Sequence, residues 1–456
     1  MAGDADWAGV LDKARNTALG RPLAAAFFPH HHTVAELRLR MNNGSFGACP
    51  APVLERQASY RAQWMTNPDG VWAGAFPHRI ERARACVAHQ VAHCALEDLI
   101  LVDNVTMAVG LVHQWLYDDI LRHHRTAEGQ IYAVLVSNMT YRAVGLSVQA
   151  VVDRLACVGI TLNVHTVQIP FPVSSREDVV AAYTKTLEEC AAASSESLRL
   201  CCLDHIVSNP GMVLPVEVLA NRCYSHGAKK VFVDGAHAPG MIPTLDLAGL
   251  PCDFYCANLH KWMFTPTGTG FLYVRNSAQM DVHHPLHSHN YGVNSDETCR
   301  DGLVGGLPGE ARMVGTRDYS PFLTIPDAVE FYDACGGSEN VAARNCALAL
   351  EAGTMCATLW GTQLGTPGDM VGSTCMVGLP RIFGSTWEDS KRFKMDLYDW
   401  SCGSTESGEY SGIVVQYPYP TLNDRLWVRI SAAGYNDMTE FRVFAEAVVT
   451  LADQRR

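Results

Sequence analysis

The chain lacks the features of a nucleic-acid-binding or membrane protein. It has 35 Lys and Arg against 47 Asp and Glu, a formal net charge of −12, whereas phosphate-backbone binding requires clustered basic residues. No apolar run reaches the roughly 20 residues that a transmembrane helix needs. The acidic start, residues 1–7 (MAGDADW), lacks the basic flank and apolar core of a secretion signal. The sequence therefore predicts a cytoplasmic protein with no nucleic-acid or membrane partner.

The chain also lacks a disulfide or zinc-binding cysteine pattern. Its sixteen cysteines are scattered, and none forms a CxxC pair. In a chain of 456 residues, such cysteines are typical of small buried side chains in a reducing compartment. This length also exceeds the size at which a single core usually stops growing, so two domains are expected.

The middle of the sequence alternates strand and helix patterns, which is typical of a sheet covered by helices on both faces. The predicted strands are 131–136, 198–203, 230–233, 253–257 and 270–274. The predicted helices are 140–155, 176–194 and 215–225. The turn at 265–269 predicts that the last two strands form an antiparallel hairpin. We therefore predict an α/β fold with a mainly parallel central sheet.

A second, smaller α+β domain is expected at the C-terminus. A long helical region, 325–360, precedes predicted strands at 376–379, 413–416 and 425–430 and a helix that begins at Thr439. We therefore divide the chain into a large domain, residues 41–325, and a small domain, residues 326–456. Residues 1–40 form an N-terminal helical segment that we expect to pack on the small domain.

Polar residues follow several predicted strands where each strand ends. These segments are 204–210, 234–237 and 258–261, and ligands of open α/β sheets bind at this edge. Among them are one amine, Lys261, and one strand-end carboxylate, Asp234. A pyridoxal 5'-phosphate (PLP) enzyme requires that combination, because the lysine forms an imine with the cofactor aldehyde and the acid keeps the pyridine nitrogen protonated.

A phosphate site is also indicated upstream. Residues 103–108 (DNVTMA) lead into a predicted helix, where backbone N–H groups and a hydroxyl donor can bind a phosphate. Taken alone, the motif favours an ordinary helix N-cap. The lysine downstream favours the phosphate interpretation.

The chain resembles class V (fold-type I) PLP enzymes, in the branch that contains isopenicillin N epimerase-like proteins and plant-type L-cysteine desulfhydrases. The matching stretches are 41–47 (MNNGSFG), 102–106 (VDNVT), 204–210 (DHIVSNP), 233–238 (VDGAHA), 258–262 (NLHKW), 283–285 (HHP), 288–289 (SH), 315–320 (GTRDYS) and 428–431 (VRIS). They occur in the order expected for the family. The desulfhydrase-like members are the most similar in the segments around His283, Gly315 and Asn258.

The resemblance implies a fold-type I PLP-dependent transferase fold and a role for individual residues. Lys261 would bind the cofactor and move the substrate α-proton, Asp234 would pair with the ring nitrogen, and His237 would lie near the ring hydroxyl. The other implied cofactor-binding residues are Tyr141, Ser208, Thr106, Met107, Asn258, His260 and, from the neighbouring subunit of a homodimer with a shared active site, Thr316. The implied substrate-binding residues are Arg429, Asn43 and His289.

Several residues allow simpler interpretations. Arg429 lies in an alternating strand and could face solvent or an ion pair, although its planar fork suits a carboxylate. The histidines at 283, 284, 287 and 289 invite a metal hypothesis, but the run lacks a helical i, i+4 pair and nearby Cys or Asp partners. We therefore assign no metal ligand. Tyr291, Gln416 and Tyr417 are candidates for lining the substrate side-chain pocket.

Cys299 is the candidate for a persulfide-accepting nucleophile. Its surroundings are mostly acidic, which would raise the pKa of the thiol and make it a poor nucleophile. We therefore predict release of free sulfide or thiol. The sequence predicts a PLP-dependent C–S lyase that acts on L-cysteine or a cysteine-derived thioether or sulfoxide, giving pyruvate and ammonia. The alternatives are an epimerase, an aminotransferase or a natural-product-forming enzyme of the same family and, outside it, a metal-dependent hydrolase or a catalytically dead scaffold.

Overall fold

A computed structural model describes residues 7–29, 39–127, 129–192, 196–400, 412–421 and 425–456. Its helices have the following bounds: Trp7–Arg15, Arg21–Phe27, Ala51–Thr66, Pro68–Gly70, Phe76–Cys86, Val105–His124, Arg142–Ala156, Arg176–Ala192, Val216–Ser225, Gly306–Arg312, Ser320–Leu323, Ile325–Ala334, Gly337–Trp360, Trp387–Asp399 and Met438–Gln454. Its strands are β1 (Leu39–Arg40), β2 (Leu99–Val102), β3 (Ile131–Ser137), β4 (Leu162–Val167), β5 (Glu196–Asp204), β6 (Lys230–Asp234), β7 (Phe254–Asn258), β8 (Gly270–Val274), β9 (Thr374–Gly378), β10 (Ile413–Val414), β11 (Tyr419–Thr421) and β12 (Arg425–Ser431). Among these residues, no helix is both long and apolar enough to cross a bilayer.

The central sheet has seven strands in the order β2-β8-β7-β6-β5-β3-β4. Strands β3 to β7 pair in parallel, and β8 is antiparallel to both β7 and β2. The predicted strands and the predicted antiparallel hairpin are therefore confirmed. Two strands were not predicted: β2 is only four residues long, and β4 is an edge strand whose central side chains are partly exposed.

Apolar side chains cover both faces of this sheet. Leu203 and Val233 pack on one face with helices such as Arg176–Ala192, and Cys202 and Phe232 pack on the other beneath the Val105–His124 helix. Because parallel strands are buried on both faces, they appear in the sequence as continuous apolar runs. The predicted sheet with helices on both faces is confirmed.

A third apolar cluster lies in the C-terminal part of the chain. Strand β12 lies between β11 and β9 in an antiparallel sheet, and β10 pairs in parallel with β1. The predicted strand 413–416 is therefore shorter and lies outside that antiparallel sheet. The predicted 325–360 helical region is two helices, because Gly336 and Gly337 both have positive φ at the break.

The N-terminal helices contact residues of the proposed small domain. Trp7 donates to Glu330 at 2.9 Å, Phe27 packs edge-on against Phe331, and the Gly20 N–H donates to a backbone carbonyl at residue 434. The division at residues 40 and 325 stays a prediction.

Candidate active site

Lys261 lies three residues after the end of β7 and faces a cavity of about 370 Å³. Its Nζ is 3.0 Å from Nε2 of His237. Burial, and secondly the positive charge of Arg429, lower the pKa of Lys261 to about 7. A neutral amine is a nucleophile and a base, and with this pKa a large fraction of Lys261 is in that form near neutral pH.

The N-terminal loop holds the backbone of Lys261 in place. The Gly47 N–H donates to the His260 carbonyl oxygen at 3.2 Å. A Cβ on Gly47 would lie 2.1 Å from the Lys261 carbonyl oxygen, so only glycine allows this approach. Residues 44–46 of the same loop line the cavity.

Asp234 lies at the end of β6 and is 6% exposed. One oxygen, Oδ1, accepts the Ala236 N–H at 2.9 Å. Burial raises the pKa of Asp234, while the Ala236 N–H and the charge of Lys261 oppose that increase. The carboxylate therefore lines the cavity with one oxygen still able to bind a protonated ring nitrogen.

His237 lines the cavity with a buried imidazole. Its imidazole is 2% exposed, and Nδ1 has no hydrogen-bond partner among the described residues. Burial lowers the pKa of His237 well below its usual value, so the ring is neutral.

The N-terminus of a helix also lines the cavity. Asn104 caps the Val105–His124 helix, with its Oδ1 accepting the Met107 N–H at 3.0 Å. Asn258 Oδ1 accepts the Val105 N–H at 3.0 Å. Thr106 and His260 also line this part of the cavity, so a hydroxyl and an imidazole face a helix end that favours anions.

Three further residues shape the cavity walls. Tyr141 is 51% exposed at the start of the Arg142–Ala156 helix, so its ring is available to stack on a planar ligand. Ser147, from the same helix, lies 2.7 Å from Nδ1 of the buried His113. Ser208 also lines the cavity.

Among the described residues, only neutral oxygens bind the buried guanidinium of Arg429. It is 2% exposed; Nη1 donates to the carbonyl and hydroxyl oxygens of Ser208, at 2.8 and 3.1 Å. Nη2 donates to Asn42 Oδ1 at 3.0 Å and Ser45 Oγ at 3.1 Å. Burial lowers its pKa to about 10, and Nε has no partner among the described residues. A buried cation without a carboxylate partner is suited to binding one.

Five residues of the implied site do not line this cavity. Arg429 is one of them, although it donates to Ser208 and Ser45, which do line it. The side-chain amide of Asn43 is hydrogen-bonded within the protein. Its Nδ2 donates to oxygens of Ser431 and Asn436, and its Oδ1 accepts from the Tyr435 hydroxyl. Its neighbour Asn42 makes the contact with Arg429 instead.

Met107, His289 and Thr316 are also absent from the cavity lining. The Met107 N–H donates to the helix-capping Asn104 side chain, and His289 is exposed. Thr316 borders a second cavity with Tyr60 and Trp64. Direct roles for Arg429, Asn43, Met107, His289 and Thr316 stay predictions.

Of the residues expected to line the substrate side-chain pocket, Gln416 lies at the cavity and Tyr417 does not. Gln416 lines the cavity, whereas Tyr417 packs under the Lys394 ammonium at 3.7 Å. Nδ1 of His283 lies 2.9 Å from a carboxylate oxygen of Glu310. In the described part of the chain, no group of three or more His, Cys, Asp or Glu side chains could hold a metal ion.

Cys299 is buried, and its pKa is raised. Burial is the largest cause of this increase. Arg312 lowers the pKa, and Asp301, the nearby acid, raises it by the smallest amount. The predicted direction is confirmed, but acidic surroundings were the wrong cause.

Sequence reasoning missed Asp204, Asn42 and Ser45. Asp204 lines the cavity beside Asp234. Its position at a strand end within the 204–210 segment could have indicated it. Asn42 and Ser45 are in the same loop as Asn43, and only the structure shows which of these side chains faces the guanidinium.

These residues fit PLP. The Lys261 amine, the Asp234 carboxylate, the His237 imidazole and the helix end lie around one cavity, in the size range of small-molecule sites, roughly 300–1,000 Å³. Lys261 would hold the aldehyde carbon, Asp234 the ring nitrogen and the Thr106 region the phosphate. The fold and the site thus define a PLP-dependent enzyme.

Comparisons with known proteins give the family. The aminotransferase class-V family model matches residues 47–352. The chain is 38% identical to "Putative L-cysteine desulfhydrase 1" of Oryza sativa subsp. japonica, over 80% of this chain and 71% of that protein. It is 34% identical to "Putative L-cysteine desulfhydrase 2" of the same organism, over 98% and 92%. Isopenicillin N epimerase of Streptomyces clavuligerus is 30% identical, over 91% and 95%. The chain belongs to the aminotransferase class-V family.

Solved structures share the fold. A cysteine desulfurase from Thermococcus onnurineus NA1 matches with a TM-score of 0.71 and 17% identity, over 96% of this chain and 99% of that one. The cystine C–S lyase C-DES, in complex with its product cysteine persulfide, matches with a TM-score of 0.67 and 20% identity, over 91% and 97%. The fold-type I prediction and the PLP prediction are confirmed.

Proposed function

We propose that this protein is a PLP-dependent C–S lyase. The substrate would be L-cysteine or a cysteine-derived thioether or sulfoxide. Loss of the α-proton and of the β-sulfur group, followed by hydrolysis, converts L-cysteine and water into pyruvate, ammonia and sulfide. Support comes from four relatives whose names contain L-cysteine desulfhydrase, two of them as putative and one as probable, at 31–38% identity.

The observation that carries the chemistry is the position of the buried Lys261 amine, 3.0 Å from His237 Nε2 in the cavity that Asp234 also lines. Bound PLP supplies an electron sink for negative charge at the substrate α-carbon. With a pKa of about 7, Lys261 is deprotonated often enough at neutral pH to accept the α-proton. Arg429 would hold the substrate carboxylate, which fixes the amino acid relative to this base. Asp234 would keep the ring nitrogen protonated.

The described cysteines favour sulfide release over persulfide transfer. None of them lines the cavity, and burial raises the pKa of Cys299, which disfavours the nucleophilic thiolate. Sulfur leaving the substrate therefore meets no thiolate among the described residues.

Product analysis tests this proposal. Purified holoenzyme incubated with L-cysteine should release sulfide and pyruvate in equal amounts, with no persulfide on any of the sixteen cysteines when the enzyme is alkylated and analysed by mass spectrometry. Lys261→Ala should abolish both products. Sulfide without pyruvate, or a protein-bound persulfide, would contradict the proposed reaction.

Epimerisation is the second candidate, because two relatives named isopenicillin N epimerase are 30–34% identical to this chain. An epimerase would exchange an α-deuterium of its substrate with solvent and release no sulfur product. That readout separates the two reactions with the same enzyme preparation.

We also propose a homodimer in which Thr316 reaches the neighbouring subunit's phosphate site. Thr316 lies outside its own chain's Lys261 cavity, as a residue contributed in trans would. Sedimentation of the holoenzyme tests the dimer, and loss of cofactor affinity in Thr316→Val tests the contact. A cytoplasmic location stays a prediction, since one Arabidopsis thaliana relative is named chloroplastic.

A further inference from the structure

Asp204 is a second buried carboxyl group beside Asp234. The two residues are register partners at the ends of the adjacent parallel strands β5 and β6. Residues two positions earlier, Cys202 and Phe232, pack in the same cluster on one face of the sheet. Because side chains alternate along a strand, both carboxyl groups point to that face. They are 4% and 6% exposed and line the same cavity.

Two carboxyl groups at neighbouring-strand distance in a buried site do not both ionise, because like charges there repel strongly. Their hydrogen-bond donors are unequal. Asp234 accepts a backbone N–H from Ala236 and feels the positive charge of Lys261. The carboxyl group of Asp204 interacts with the hydroxyl of Thr140, a weaker stabiliser of negative charge. The negative charge therefore belongs on Asp234.

We infer that Asp204 is a positioning residue that holds the proton of this acid pair and so leaves Asp234 as the single anion opposite the cofactor ring nitrogen. An ionised Asp204 would place two negative charges beside one pyridinium. A neutral Asp204 leaves a single negative charge, that of Asp234, beside the ring. This inference rests on the PLP site and is independent of which bond the enzyme breaks.

The groups around the pair are consistent with this assignment. Burial raises the pKa values of the Cys202 and Cys256 thiols and of the Tyr183 phenol, so all three are neutral. Burial, followed by the charge of Asp234, raises the pKa of Asp204 well above its usual value. Lys261 is the basic group that acts on Asp234.

Infrared difference spectroscopy of the holoenzyme tests the protonation state directly. The spectrum of wild type minus Asp204→Asn, at neutral pH, should contain the C=O stretch of a protonated carboxyl group, and this band should shift in D2O. The control is wild type minus Asp253→Asn. Asp253 is equally buried but ion-paired with Lys230 at 2.8 Å, at the other end of the sheet. That difference should contain carboxylate bands instead.

Carboxylate bands in the Asp204 difference would overturn the inference. If Asp204→Asn does not fold, the wild-type holoenzyme can be labelled with ¹³C-carboxyl aspartate and studied by NMR instead. One aspartate carboxyl carbon should then keep its protonated chemical shift from acidic to neutral pH, and titration of every aspartate at its usual pKa would overturn the inference.

The pH titration of the bound cofactor's visible absorbance gives a functional readout. Asp204→Asn keeps the position neutral, so the titration midpoint should stay within about 0.3 pH units of wild type, whereas removal of an ionised carboxylate would shift it by about one to two units. A large shift overturns the inference. Failure to release sulfide from L-cysteine, with the infrared result as expected, would refute only the proposed reaction.

Discussion

Replacing Arg429 with methionine should weaken binding of carboxylate substrates without unfolding the protein. The guanidinium is 2% exposed and donates to four neutral oxygens, so its charge has no carboxylate partner among the described residues. Truncating one partner of a buried, hydrogen-bonded charge pair costs about 2–5 kcal/mol. We therefore expect kcat/KM for L-cysteine to fall by roughly 30-fold to several thousand-fold, mainly through KM.

The assay compares L-cysteine with cysteamine, which has the same amine and thiol but no carboxylate. Wild type should prefer L-cysteine strongly, and Arg429→Met should lose most of that preference while retaining its activity on cysteamine. Arg429→Lys keeps the charge without the planar fork and should fall between the two. An equal loss of kcat/KM for both compounds would show that Arg429 acts through the structure of the site.

The stability of the apoenzyme supplies an independent check. Burial lowers the pKa of Arg429 to about 10, which means that the folded state disfavours its charged form. Removing an uncompensated buried charge should therefore leave the free energy of unfolding in urea within about 1 kcal/mol of wild type, or raise it. A loss of several kcal/mol would refute this reasoning.

Three shorter predictions concern other positions. Lys261 has a folded-state pKa of about 7 against a usual value of 10.5, so its charged form destabilises the folded apoenzyme below pH 7. This destabilisation decreases as the pH rises from about 7 to 10.5. In urea unfolding, apo Lys261→Met should therefore be more stable than wild type at pH 7, and this difference should shrink towards pH 10. Gly47→Ala places a Cβ 2.1 Å from the Lys261 carbonyl oxygen and should reduce cofactor affinity at least tenfold in equilibrium dialysis, whereas Gly110→Ala, on an open helix surface, should retain it. Cys299→Ser should produce sulfide at the wild-type rate, and a large loss would show that this thiol participates.

Much of the fold could be predicted because its strands are local patterns. Strand β8 lies at the predicted residues, and β5, β6 and β7 lie within two residues of prediction. Strand β2 was missed because four apolar residues are too short a run to distinguish a strand from a buried turn. The break at Gly336 and Gly337 was missed because apolar periodicity continues on both sides of it.

The site was predictable where one residue type carries the chemistry. Lys261 and Asp234 follow apolar strands, and a parallel sheet brings such ends together. The choice between Asn42 and Asn43 could not be predicted, because adjacent residues of an irregular loop point in different directions. Asp204 was missed because a strand-end aspartate is also an ordinary turn former, and its meaning depends on its register with Asp234.

The contacts of Arg429 connect three distant parts of the chain. Its own strand, β12, belongs to the C-terminal sheet, Ser208 follows a strand of the central sheet, and Asn42 and Ser45 are in the N-terminal loop. The same loop contacts the backbone beside Lys261 through Gly47. A carboxylate bound by Arg429 would therefore compete with, or add to, the hydrogen bonds that join these segments. We expect amide hydrogen exchange of residues 42–47 to change when a carboxylate substrate analogue binds the holoenzyme. It should remain unchanged with cysteamine, which has no carboxylate to bind the guanidinium that is hydrogen-bonded to this loop.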